Sequence, residues 1–575
     1  MENEELIKQV TEKAEKWLTP AYDAETQAEI KKMLANPDKT DLIEAFYKDL
    51  EFGTGGLRGI MGVGSNRMNI YTVGAATQGL SNYLNKNFKD LDQISVVVGH
   101  DCRNNSRLFA EISANIFSAN GIKVYLFEDM RPTPEMSFAI RHFGCQSGIN
   151  ITASHNPREY NGYKLYDDKG CQLIPCLASQ VIDKVNAIED ELAIDANCTD
   201  EQKKLITVIG KDVDEEYYKN VLSIQLNPEV KKDIKIVFSP EHGTANIPVQ
   251  EVYKRAGYTC IPVVEQCSPD PDFSNTPTPN PEQAGAYELS LKYAKENQAD
   301  LILVCDPDAD RMGVGVLHNG EYVVLTGNQS GSVEIEYICS QLQKQGKMPE
   351  NPVMFNTVVT SDLGEKVASD YGVTTEKTLT GFKFIGEKVA KYEKTHEKNY
   401  VFGYEESYGS LIKPFVRDKD APQACLMLAE ACAFYKEQGK DLVDVLDSLY
   451  DRHGTYEESQ VALSLAGEAG AKRIKEILAN LRKDAPTQIG GTKVVRSEDY
   501  KECVIKEGDK VTELTGFTKS DVLKYYLEDG SWIAVRPSGT EPKCKFYYCI
   551  KGASKEDAHN KTVHFQKAMD DLIAK

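Results

Sequence analysis

The chain has 575 residues, and its 67 Lys and Arg residues against 88 Asp and Glu residues give a formal net charge of −21 at pH 7. At about 150 residues per domain, this length predicts roughly four domains. Hydrophobic residues make up 41% and charged residues 27%, which is typical of globular proteins and excludes large-scale disorder. A chain this acidic is repelled by phosphate backbones and anionic lipid, so we expect neither nucleic acid nor a membrane as a partner.

Three features of the sequence predict a cytoplasmic protein. The 14 cysteines include no C-x-x-C pair, which indicates reduced, mostly buried thiols rather than a disulfide framework. No apolar run reaches the roughly 18 residues of a membrane-spanning helix. The segment 1–17 is acidic and lacks the basic start and the apolar stretch of a secretory signal.

Helical periodicity marks residues 1–40, and beyond them apolar, β-branched runs alternate with helical stretches. Such alternation predicts parallel sheets with crossover helices. Strands are predicted within 94–101, 121–129, 233–243, 299–311, 351–362 and 399–409. The pattern suggests one α/β unit used three times. A smaller α+β domain over 457–575 follows it, and residues 457–483 of that domain are predicted to be helical.

The sharpest motif is the loop DPDADR, which follows a predicted buried strand. Asp306, Asp308 and Asp310 alternate along this loop, and crowding three carboxylates together is costly without a cation. Oxygen ligands at this density suit Mg²⁺ or Ca²⁺, but an EF-hand would require Gly at Arg311 and Glu at Leu317. We favour a divalent metal site over the alternative, a solvated acidic turn.

A second loop, TASHNP, presents Ser154 at a predicted strand end, followed by His155. A serine hydroxyl held there can act as a nucleophile or a phosphoryl carrier if a base and a charge sink lie near it. Lys164 follows ten residues later, and a lysine in a partly dry cleft can transfer protons near neutral pH. For this motif alone, a plain serine-containing turn is the alternative.

Three further loops suggest contacts to a phosphorylated sugar. RPSGTEP, at 536–542, combines an Arg fork, hydroxyls and Gly, as a phosphate cradle would. GYEES, at 403–407, offers carboxylates to vicinal sugar hydroxyls, and GTGGLRG, at 53–59, is a flexible loop that carries Arg58. For each loop alone there is a simpler alternative: a hairpin turn with an exposed Arg for RPSGTEP, a surface acidic loop for GYEES and a mobile surface loop for GTGGLRG.

Taken together, these residues fit phosphoryl transfer to or from a sugar phosphate. Neither G-x-x-x-x-G-K-[ST] nor G-x-G-x-x-G occurs, so no bound nucleotide is expected to supply the phosphoryl group. Ser154 could therefore hold it.

With these motifs, the sequence closely resembles the α-D-phosphohexomutase superfamily. TASHNP resembles its phosphoserine loop, DPDADR its metal loop, GYEES its sugar loop and RPSGTEP its phosphate loop, in the family's order. GTGGLRG, TGFKFIG and the chain length resemble the long phosphoglucomutase/phosphopentomutase branch. The resemblance implies an α/β fold: three related mixed α/β-sheet domains and a smaller C-terminal α+β (helix-on-sheet) domain around a central cleft. The expected domain boundaries are 1–215, 216–325, 326–456 and 457–575.

The resemblance also implies roles for matching positions. Ser154 resembles the phosphorylated serine, and the expected Mg²⁺ ligands are Ser154, Asp306, Asp308 and Asp310. Other catalytic residues, for proton transfer or charge stabilisation, are expected to be Arg58, His155, Lys164 and Lys419. Substrate-binding residues are expected to be Arg311, Thr380, Lys383, Glu405, Ser407, Arg536, Ser538, Gly539, Thr540 and Lys545.

Two positions depart from the family's pattern. Pro307 stands in the metal loop where many members have Gly, which should stiffen the loop without removing a ligand. Phe382 stands in the specificity loop where other branches carry His or Trp, which leaves the preferred sugar open.

The activity that the resemblance implies is a phosphosugar mutase. It would interconvert hexose 1-phosphate and hexose 6-phosphate, foremost those of α-D-glucose, through a phosphoserine enzyme and a hexose 1,6-bisphosphate. Mg²⁺ and glucose 1,6-bisphosphate, as activator and intermediate, are the expected cofactors, and small sugar phosphates are the expected partners. Open alternatives are a mannose, pentose or amino-sugar preference, glucose 1,6-bisphosphate synthesis, a Mg²⁺-dependent phosphatase and a silent sugar-phosphate sensor. Whether the protein is a monomer or a dimer also stays open.

Overall fold

The computed structural model describes residues 2–53, 55–465, 467–538 and 543–574. Its helices are α1 (Glu2–Glu15), α2 (Ala24–Ala35), α3 (Thr40–Phe46), α4 (Ile70–Asn87), α5 (Ser106–Ala119), α6 (Thr133–Phe143), α7 (Pro175–Asn186), α8 (Asp200–Lys203), α9 (Lys211–Leu222), α10 (Asn246–Ala256), α11 (Glu288–Asn297), α12 (Gly327–Lys344), α13 (Asp362–Asp370), α14 (Phe382–Thr395), α15 (Ala421–Lys436), α16 (Leu442–His453), α17 (Gly467–Lys483) and α18 (Lys555–Ile573).

The strands, in chain order, are β1 (Leu57–Ile60), β2 (Ser95–His100), β3 (Lys123–Phe127), β4 (Ser147–Ile151), β5 (Tyr160–Tyr166), β6 (Ile206–Ile209), β7 (Lys235–Ser239), β8 (Thr259–Pro262), β9 (Leu301–Cys305), β10 (Met312–His318), β11 (Glu321–Leu325), β12 (Pro352–Thr357), β13 (Thr374–Thr378), β14 (Asn399–Tyr404), β15 (Ser410–Leu411), β16 (Thr455–Ser464), β17 (Gln488–Ile489), β18 (Thr492–Asp499), β19 (Val504–Glu507), β20 (Lys510–Glu513), β21 (Leu523–Leu527), β22 (Trp532–Pro537) and β23 (Lys543–Gly552).

The chain divides into two compact units. Unit 1 comprises Met1–Gly315, Gly386–Lys394 and Gly409–Ala433. Unit 2 comprises Val316–Ile385, Thr395–Tyr408 and Phe434–Lys575. Among the helices that the structure describes, none has the length and the apolar character needed to span a membrane.

The N-terminal helices of unit 1 pack around an aromatic cluster of their own. The ring of Trp17 stacks on Tyr22 at 4.8 Å between centroids and meets Phe46 edge-on at 5.6 Å. All three side chains are buried, so apolar burial fixes α1, α2 and α3 as a packed extension. The helical prediction for residues 1–40 is confirmed.

The first sheet of unit 1 is mixed and has the strand order β1-β5-β4-β2-β3-β6. β2 runs parallel to β3 and β4, and β3 parallel to β6, whereas β5 runs antiparallel to β4 and β1. Val96, Val97 and Val98 are buried because helices cover both faces of such a sheet. The predicted strands within 94–101 and 121–129 are confirmed as β2 and β3. The parallel β2 and β4 bring their carboxyl ends, and the loops that follow, to one edge.

A second sheet of unit 1 has the order β10-β9-β7-β8, with β7 parallel to both β8 and β9. Every residue of β9 is buried, and the strand ends at Cys305, directly before the acidic loop. The predicted strands within 233–243 and 299–311 are thereby confirmed.

Unit 2 holds a parallel arrangement of β13, β12 and β14. Residues 358–361 connect β12 to α13, and the hydroxyl of Ser361 caps the start of this helix by accepting a hydrogen bond from the N–H of Leu363. The strands predicted within 351–362 and 399–409 are confirmed as β12 and β14.

The C-terminal part of unit 2 is an antiparallel sheet with the order β16-β23-β22-β21-β18-β19-β20. Apolar side chains of α17 and α18 pack on one face of this sheet, among them Ile477, Leu478 and Phe565. The prediction of a helix over 457–464 is wrong, because these residues belong to β16. All ten residues of β16 pair with β23, and this long-range pairing outweighs the local helical preference of the segment.

Candidate active site

The acidic loop between β9 and β10 brings Asp306, Asp308 and Asp310 together in unit 1. All three residues are buried, and one carboxylate oxygen from each lies within 4.8 Å of the other two. The loop turns tightly because the N–H groups of Asp310 and Arg311 both donate to Oδ1 of Asp306, at 3.2 and 2.9 Å. Three carboxylates therefore face one small volume.

This loop fits a divalent cation. Burial raises the pKa of Asp306 well above its usual range, and the charges of Asp308 and Asp310 raise it further. Oδ1 of Asp308 and Oδ1 of Asp310 are buried and have no hydrogen-bond partner among the described residues. Hard oxygen atoms of this kind are the ligands that Mg²⁺ prefers. The residues present are therefore consistent with a Mg²⁺ site.

Two lysines compensate part of the negative charge. Lys164, on β5, donates from Nζ to Oδ2 of Asp308 at 2.6 Å and to Oδ2 of Asp310 at 2.9 Å. Nζ of Lys419 lies 3.2 Å from Oδ2 of Asp310 and 3.1 Å from Oδ1 of Asp418. Burial alone would lower the pKa of Lys164, but the charges of Asp308 and Asp310 outweigh it, so the pKa is raised. Lys164 is thus held as an ammonium ion.

Ser154, in the loop after β4, reaches the acidic loop directly. Its Oγ donates to Oδ2 of Asp306 at 2.8 Å, and Nδ1 of His155 lies 3.2 Å from the same Oγ. Ser154 is buried, has a left-handed φ of 53°, and donates its N–H to Oγ1 of Thr152 at 2.8 Å. Since non-glycine residues rarely adopt this φ, the surroundings must fix the direction of the hydroxyl.

The remaining predicted residues of unit 1 surround this pair of loops. Arg58, on β1, donates to Oδ1 of Asn156 at 3.0 Å, and Arg311 donates to Oε1 of Glu282 at 2.6 Å. Burial lowers the pKa of His155 well below its usual value, and the charges of Arg311 and Arg58 lower it further. The imidazole of His155 is therefore neutral at pH 7. The structure brings together Arg58, Ser154, His155, Lys164, Asp306, Asp308, Asp310, Arg311 and Lys419.

Several predicted substrate-binding residues lie near one another within unit 2. Glu405, directly after β14, is buried, and its Oε1 accepts the N–H of Gly381 at 2.8 Å. Arg536 on β22 and Lys545 on β23 are register partners. The pKa of Lys383 is lowered to about 8, mainly by burial and then by the charge of Arg536, while Glu405 opposes the shift. Lys383, Glu405 and Arg536 are thus close enough to influence one another electrostatically.

Other predicted positions lie at the ends of strands in unit 2. Thr380 and Ser407 are half-buried, and Ser538 directly follows β22. Phe382, in the predicted specificity loop, is buried at the start of α14. Gly539 and Thr540 lie outside the described residues.

Sequence reasoning missed several residues that hold the site of unit 1. Thr133, the first residue of α6, donates from Oγ1 to Oδ2 of Asp308 at 2.7 Å. Asp101 and Arg103, in the loop after β2, contact the loop of Ser154. The spacing D-x-R-x-x-S directly after a predicted strand was the available signal, because parallel strands gather such loops at one edge.

Comparison with known proteins matches four successive domain models of one family, phosphoglucomutase/phosphomannomutase. These are α/β/α domain I over 49–192, α/β/α domain II over 215–319, α/β/α domain III over 326–453 and the C-terminal domain over 492–559. Phosphoglucomutase of Staphylococcus epidermidis is 35% identical over 526 residues, which cover 91% of this chain and 94% of the relative. Phosphoglucomutase of Staphylococcus aureus (strain N315) is 36% identical over 524 residues, which cover 90% and 92%.

The chain therefore belongs to the phosphoglucomutase/phosphomannomutase family. It is an enzyme, an intramolecular phosphotransferase of the isomerase class that this family defines. The predicted family is confirmed, and so is the predicted fold class of three α/β domains followed by a C-terminal domain.

Two solved structures share the fold at low sequence identity. A putative phosphomannomutase from Thermus thermophilus has a TM-score of 0.68 at 20% identity, covering 92% of this chain and all of that one. The parafusin phosphoglucomutase of Paramecium, in its open form, has a TM-score of 0.67 at 20% identity, with 92% and 95% covered. At such identity the likeness concerns the fold alone.

Proposed function

We propose that the chain interconverts α-D-glucose 1-phosphate and glucose 6-phosphate, with Ser154 as the phosphoryl carrier and glucose 1,6-bisphosphate as the intermediate. The observation that carries this proposal is the 2.8 Å hydrogen bond from Oγ of Ser154 to Oδ2 of Asp306, in a loop that fits a divalent cation. Glucose is inferred as the sugar because curated relatives that match over nine-tenths of the chain are named phosphoglucomutase.

The reaction consists of two phosphoryl transfers. In the first, the Oγ–P bond of phosphorylated Ser154 breaks while a bond forms from phosphorus to the 6-hydroxyl oxygen of glucose 1-phosphate. The hydroxyl proton is taken up by Lys419 and returns to Oγ of the serine, while the ammonium of Lys164 stays protonated and offsets negative charge. After the bisphosphate turns over, its bond between phosphorus and the C1 oxygen breaks and the Oγ–P bond re-forms. The serine proton then moves to the C1 oxygen, so that glucose 6-phosphate leaves a phosphorylated enzyme.

Charged side chains of unit 1 supply the electrostatic part of the proposal. Asp306, Asp308 and Asp310, together with an oxygen on Ser154, would hold Mg²⁺. When bound, Mg²⁺ would offset negative charge on the transferring phosphoryl group. Arg58 and Arg311 add guanidinium charge beside the same loops, while the neutral imidazole of His155 holds the serine oxygen in place.

Residues of unit 2 are proposed to bind the parts of the sugar phosphate that do not react. Glu405 and Ser407 would accept hydrogen bonds from sugar hydroxyls. The phosphate that stays on the sugar would be bound by Arg536, Ser538, Gly539, Thr540 and Lys545, with Thr380 and Lys383 adjoining them. Because either end of the bisphosphate must be accepted, these contacts favour phosphate and hydroxyl groups in general over a single tight pose.

The test is intact mass of the purified protein before and after incubation with glucose 1,6-bisphosphate, with peptide mapping. We expect one phosphoryl group on Ser154 that exchanges with added glucose 1-phosphate. Release of inorganic phosphate without charging of Ser154 would support a phosphatase instead, and no reaction of either kind would support a sugar-phosphate sensor. Either result would overturn the proposal.

The sugar is tested separately, by kcat/KM for the 1-phosphates of glucose, mannose, N-acetylglucosamine and ribose. We expect the highest value for glucose 1-phosphate. A higher value for another sugar would replace glucose in the proposal and keep the phosphoserine chemistry.

A further inference from the structure

The guanidinium of Arg103 lies inside the loop that presents Ser154. It donates to four main-chain carbonyl oxygens of that loop: from Nη1 to Pro157 at 2.8 Å and Tyr160 at 3.1 Å, and from Nη2 to Ser154 at 2.6 Å and Asn156 at 2.5 Å. The side chain of Arg103 is fully buried. One side chain therefore fixes the carbonyl groups from the serine itself to the start of β5.

A carboxylate orients this guanidinium and ties it to the serine by a second route. Oδ2 of Asp101 lies 3.2 Å from Nε of Arg103 and accepts a hydrogen bond from Oγ1 of Thr152 at 2.6 Å. Oγ1 of Thr152 in turn accepts the N–H of Ser154 at 2.8 Å. The C=O of Ser154 is thus bonded directly to Arg103, and its N–H is connected to Asp101 through the hydroxyl of Thr152.

An aromatic ring from the second α/β domain contributes to the same cluster. The ring centroid of Phe273 lies 5.1 Å from Cζ of Arg103, a cation–π distance, and Phe273 itself has a left-handed φ of 51°. The acidic loop belongs to the same domain as Phe273. Arg103 is therefore held between the serine loop on one side and the metal-loop domain on the other.

These contacts explain how Ser154 keeps a backbone conformation that it would otherwise leave. A left-handed φ in a non-glycine residue persists only where the surroundings determine it more than once. The four carbonyl acceptors and the Thr152 bridge do so, and they aim Oγ of Ser154 at Asp306.

We propose that Arg103, oriented by Asp101 and Phe273, is the positioning residue that sets Ser154 for phosphoryl transfer. This inference rests on the proposed function, because it takes Ser154 to be the phosphoryl carrier. Arg103 would not touch the substrate; it would act only through the backbone of the serine loop. A lysine could not replace it, because a single ammonium cannot present two nitrogens to four carbonyls in a planar fork.

The test compares Arg103→Lys with wild type and with a matched control, Arg482→Lys. Arg482, in the C-terminal domain, is also largely buried and bonds two carboxylates, those of Asp499 and Asp521. Four quantities are measured: kcat and KM for glucose 1-phosphate, the rate of Ser154 phosphorylation by glucose 1,6-bisphosphate, and the ³¹P chemical shift of the phosphoserine.

For Arg103→Lys we expect kcat and the phosphorylation rate to fall about 100-fold, as for a reacting group displaced by about 1 Å. KM should stay within about threefold of wild type, because no substrate contact is removed. The phosphoserine signal should shift or broaden. Arg482→Lys should stay within about twofold of wild type in kcat, KM and the phosphorylation rate, and its phosphoserine signal should not shift.

Two outcomes separate this inference from the proposed function. If wild type carries no phosphoryl group on Ser154, the proposed function fails. The positioning role is overturned if wild type is phosphorylated but Arg103→Lys matches Arg482→Lys. It is also overturned if Arg103→Lys raises KM and leaves kcat unchanged.

A second variant covers the case in which Arg103→Lys does not fold. Phe273→Leu keeps the guanidinium of Arg103 and its hydrogen bonds to the four carbonyl oxygens, but it removes the aromatic face. It should lower kcat about fivefold at unchanged KM, in keeping with one cation–π contact. Wild-type kcat and an unshifted phosphoserine signal in Phe273→Leu would overturn the part assigned to the ring.

Discussion

Lys164 donates a hydrogen bond of 2.6 Å from Nζ to Oδ2 of Asp308, a residue 144 positions further along the chain. The same ammonium bonds Asp310, and both partners are buried. This leaves Oδ1 of each aspartate without a hydrogen-bond partner among the described residues. The lysine thus occupies Oδ2 of both aspartates, and the proposed cation would bind on the Oδ1 side, so the same two residues would serve charge balance and the proposed metal site.

Substituting Lys164 with Met should destabilise the protein strongly. Removing one partner of a buried ion pair leaves an uncompensated charge on Asp308, which costs about 3–5 kcal/mol in the free energy of unfolding. Mg²⁺ should recover part of this loss, because it would neutralise the same carboxylates. Urea unfolding with and without Mg²⁺ measures both effects.

The matched control is Lys169→Met. Lys169 is about half exposed and pairs with Asp168 at 3.1 Å, so its loss should change the free energy of unfolding by less than about 1 kcal/mol. Equal effects of the two substitutions would contradict the importance given to the buried pair.

Ser154→Ala should abolish the mutase reaction and leave the fold intact. The substitution removes the carrier oxygen and one hydrogen bond to Asp306, but the left-handed φ is already unfavourable for serine and gains no further penalty with alanine. The melting temperature should change little, and no phosphoryl group should appear by intact mass. Ser179→Ala, at an exposed serine on α7, is the control. Near-normal turnover by Ser154→Ala would rule out the phosphoserine scheme.

The sequence allowed prediction of the parts of the site that lie within single loops. Three aspartates directly after the buried run LILVC mark the acidic loop, because a strand end fixes their spacing and burial. The position of Ser154 could be predicted for the same reason, because its loop directly follows the buried strand β4. Alternating apolar runs and helices likewise predicted the three α/β sheets.

Contacts between distant segments could not be predicted in this way. The position of Arg103 after a predicted strand indicates which edge of the sheet its loop occupies, but it does not say that the guanidinium meets carbonyls some fifty residues away. The helical prediction fails over 457–464 because the long partner strand of this segment, β23, lies about ninety residues later and leaves no local signal. Register and side-chain pairing of this kind depend on the folded chain, and local periodicity does not encode them.

Gly243→Ala should disturb the acidic loop by a clash with the backbone of Pro307. A Cβ at Gly243 would lie 2.3 Å from Cα of Pro307 and 2.4 Å from its carbonyl oxygen, which are backbone atoms that cannot rotate away. The carbonyl of Pro307 also accepts the N–H of Thr244 at 2.8 Å, so the loop cannot shift without losing this bond. We expect a loss of about 1–3 kcal/mol in the free energy of unfolding and weaker Mn²⁺ binding by electron paramagnetic resonance.

Gly74→Ala, on α4, is the control for this substitution. Its Cβ would lie 3.7 Å from the end of Ile116, an ordinary contact, and alanine favours a helix by about 1 kcal/mol over glycine. Unchanged Mn²⁺ binding in Gly243→Ala would contradict the tight packing of the loop.

Lys383 should make substrate binding sensitive to alkaline pH. Its pKa is lowered to about 8, first by burial and then by Arg536, against the opposing charge of Glu405. As pH rises through about 8, the ammonium charge is lost, and with it part of the attraction for a sugar phosphate. We expect kcat/KM for glucose 1-phosphate to fall above this pH, through a rise in KM.

Stability should change in the opposite direction over this range. The unfolded chain binds this proton up to the usual lysine pKa of 10.5, whereas the folded chain releases it at about 8. Between these two values the unfolded state holds more protons, so the contribution of Lys383 to the free energy of unfolding rises with pH. A fall in kcat/KM without loss of stability therefore distinguishes titration of Lys383 from alkaline unfolding. Lys383→Arg, which stays charged, should move the fall to higher pH; an identical profile in both proteins would assign the titration to another group.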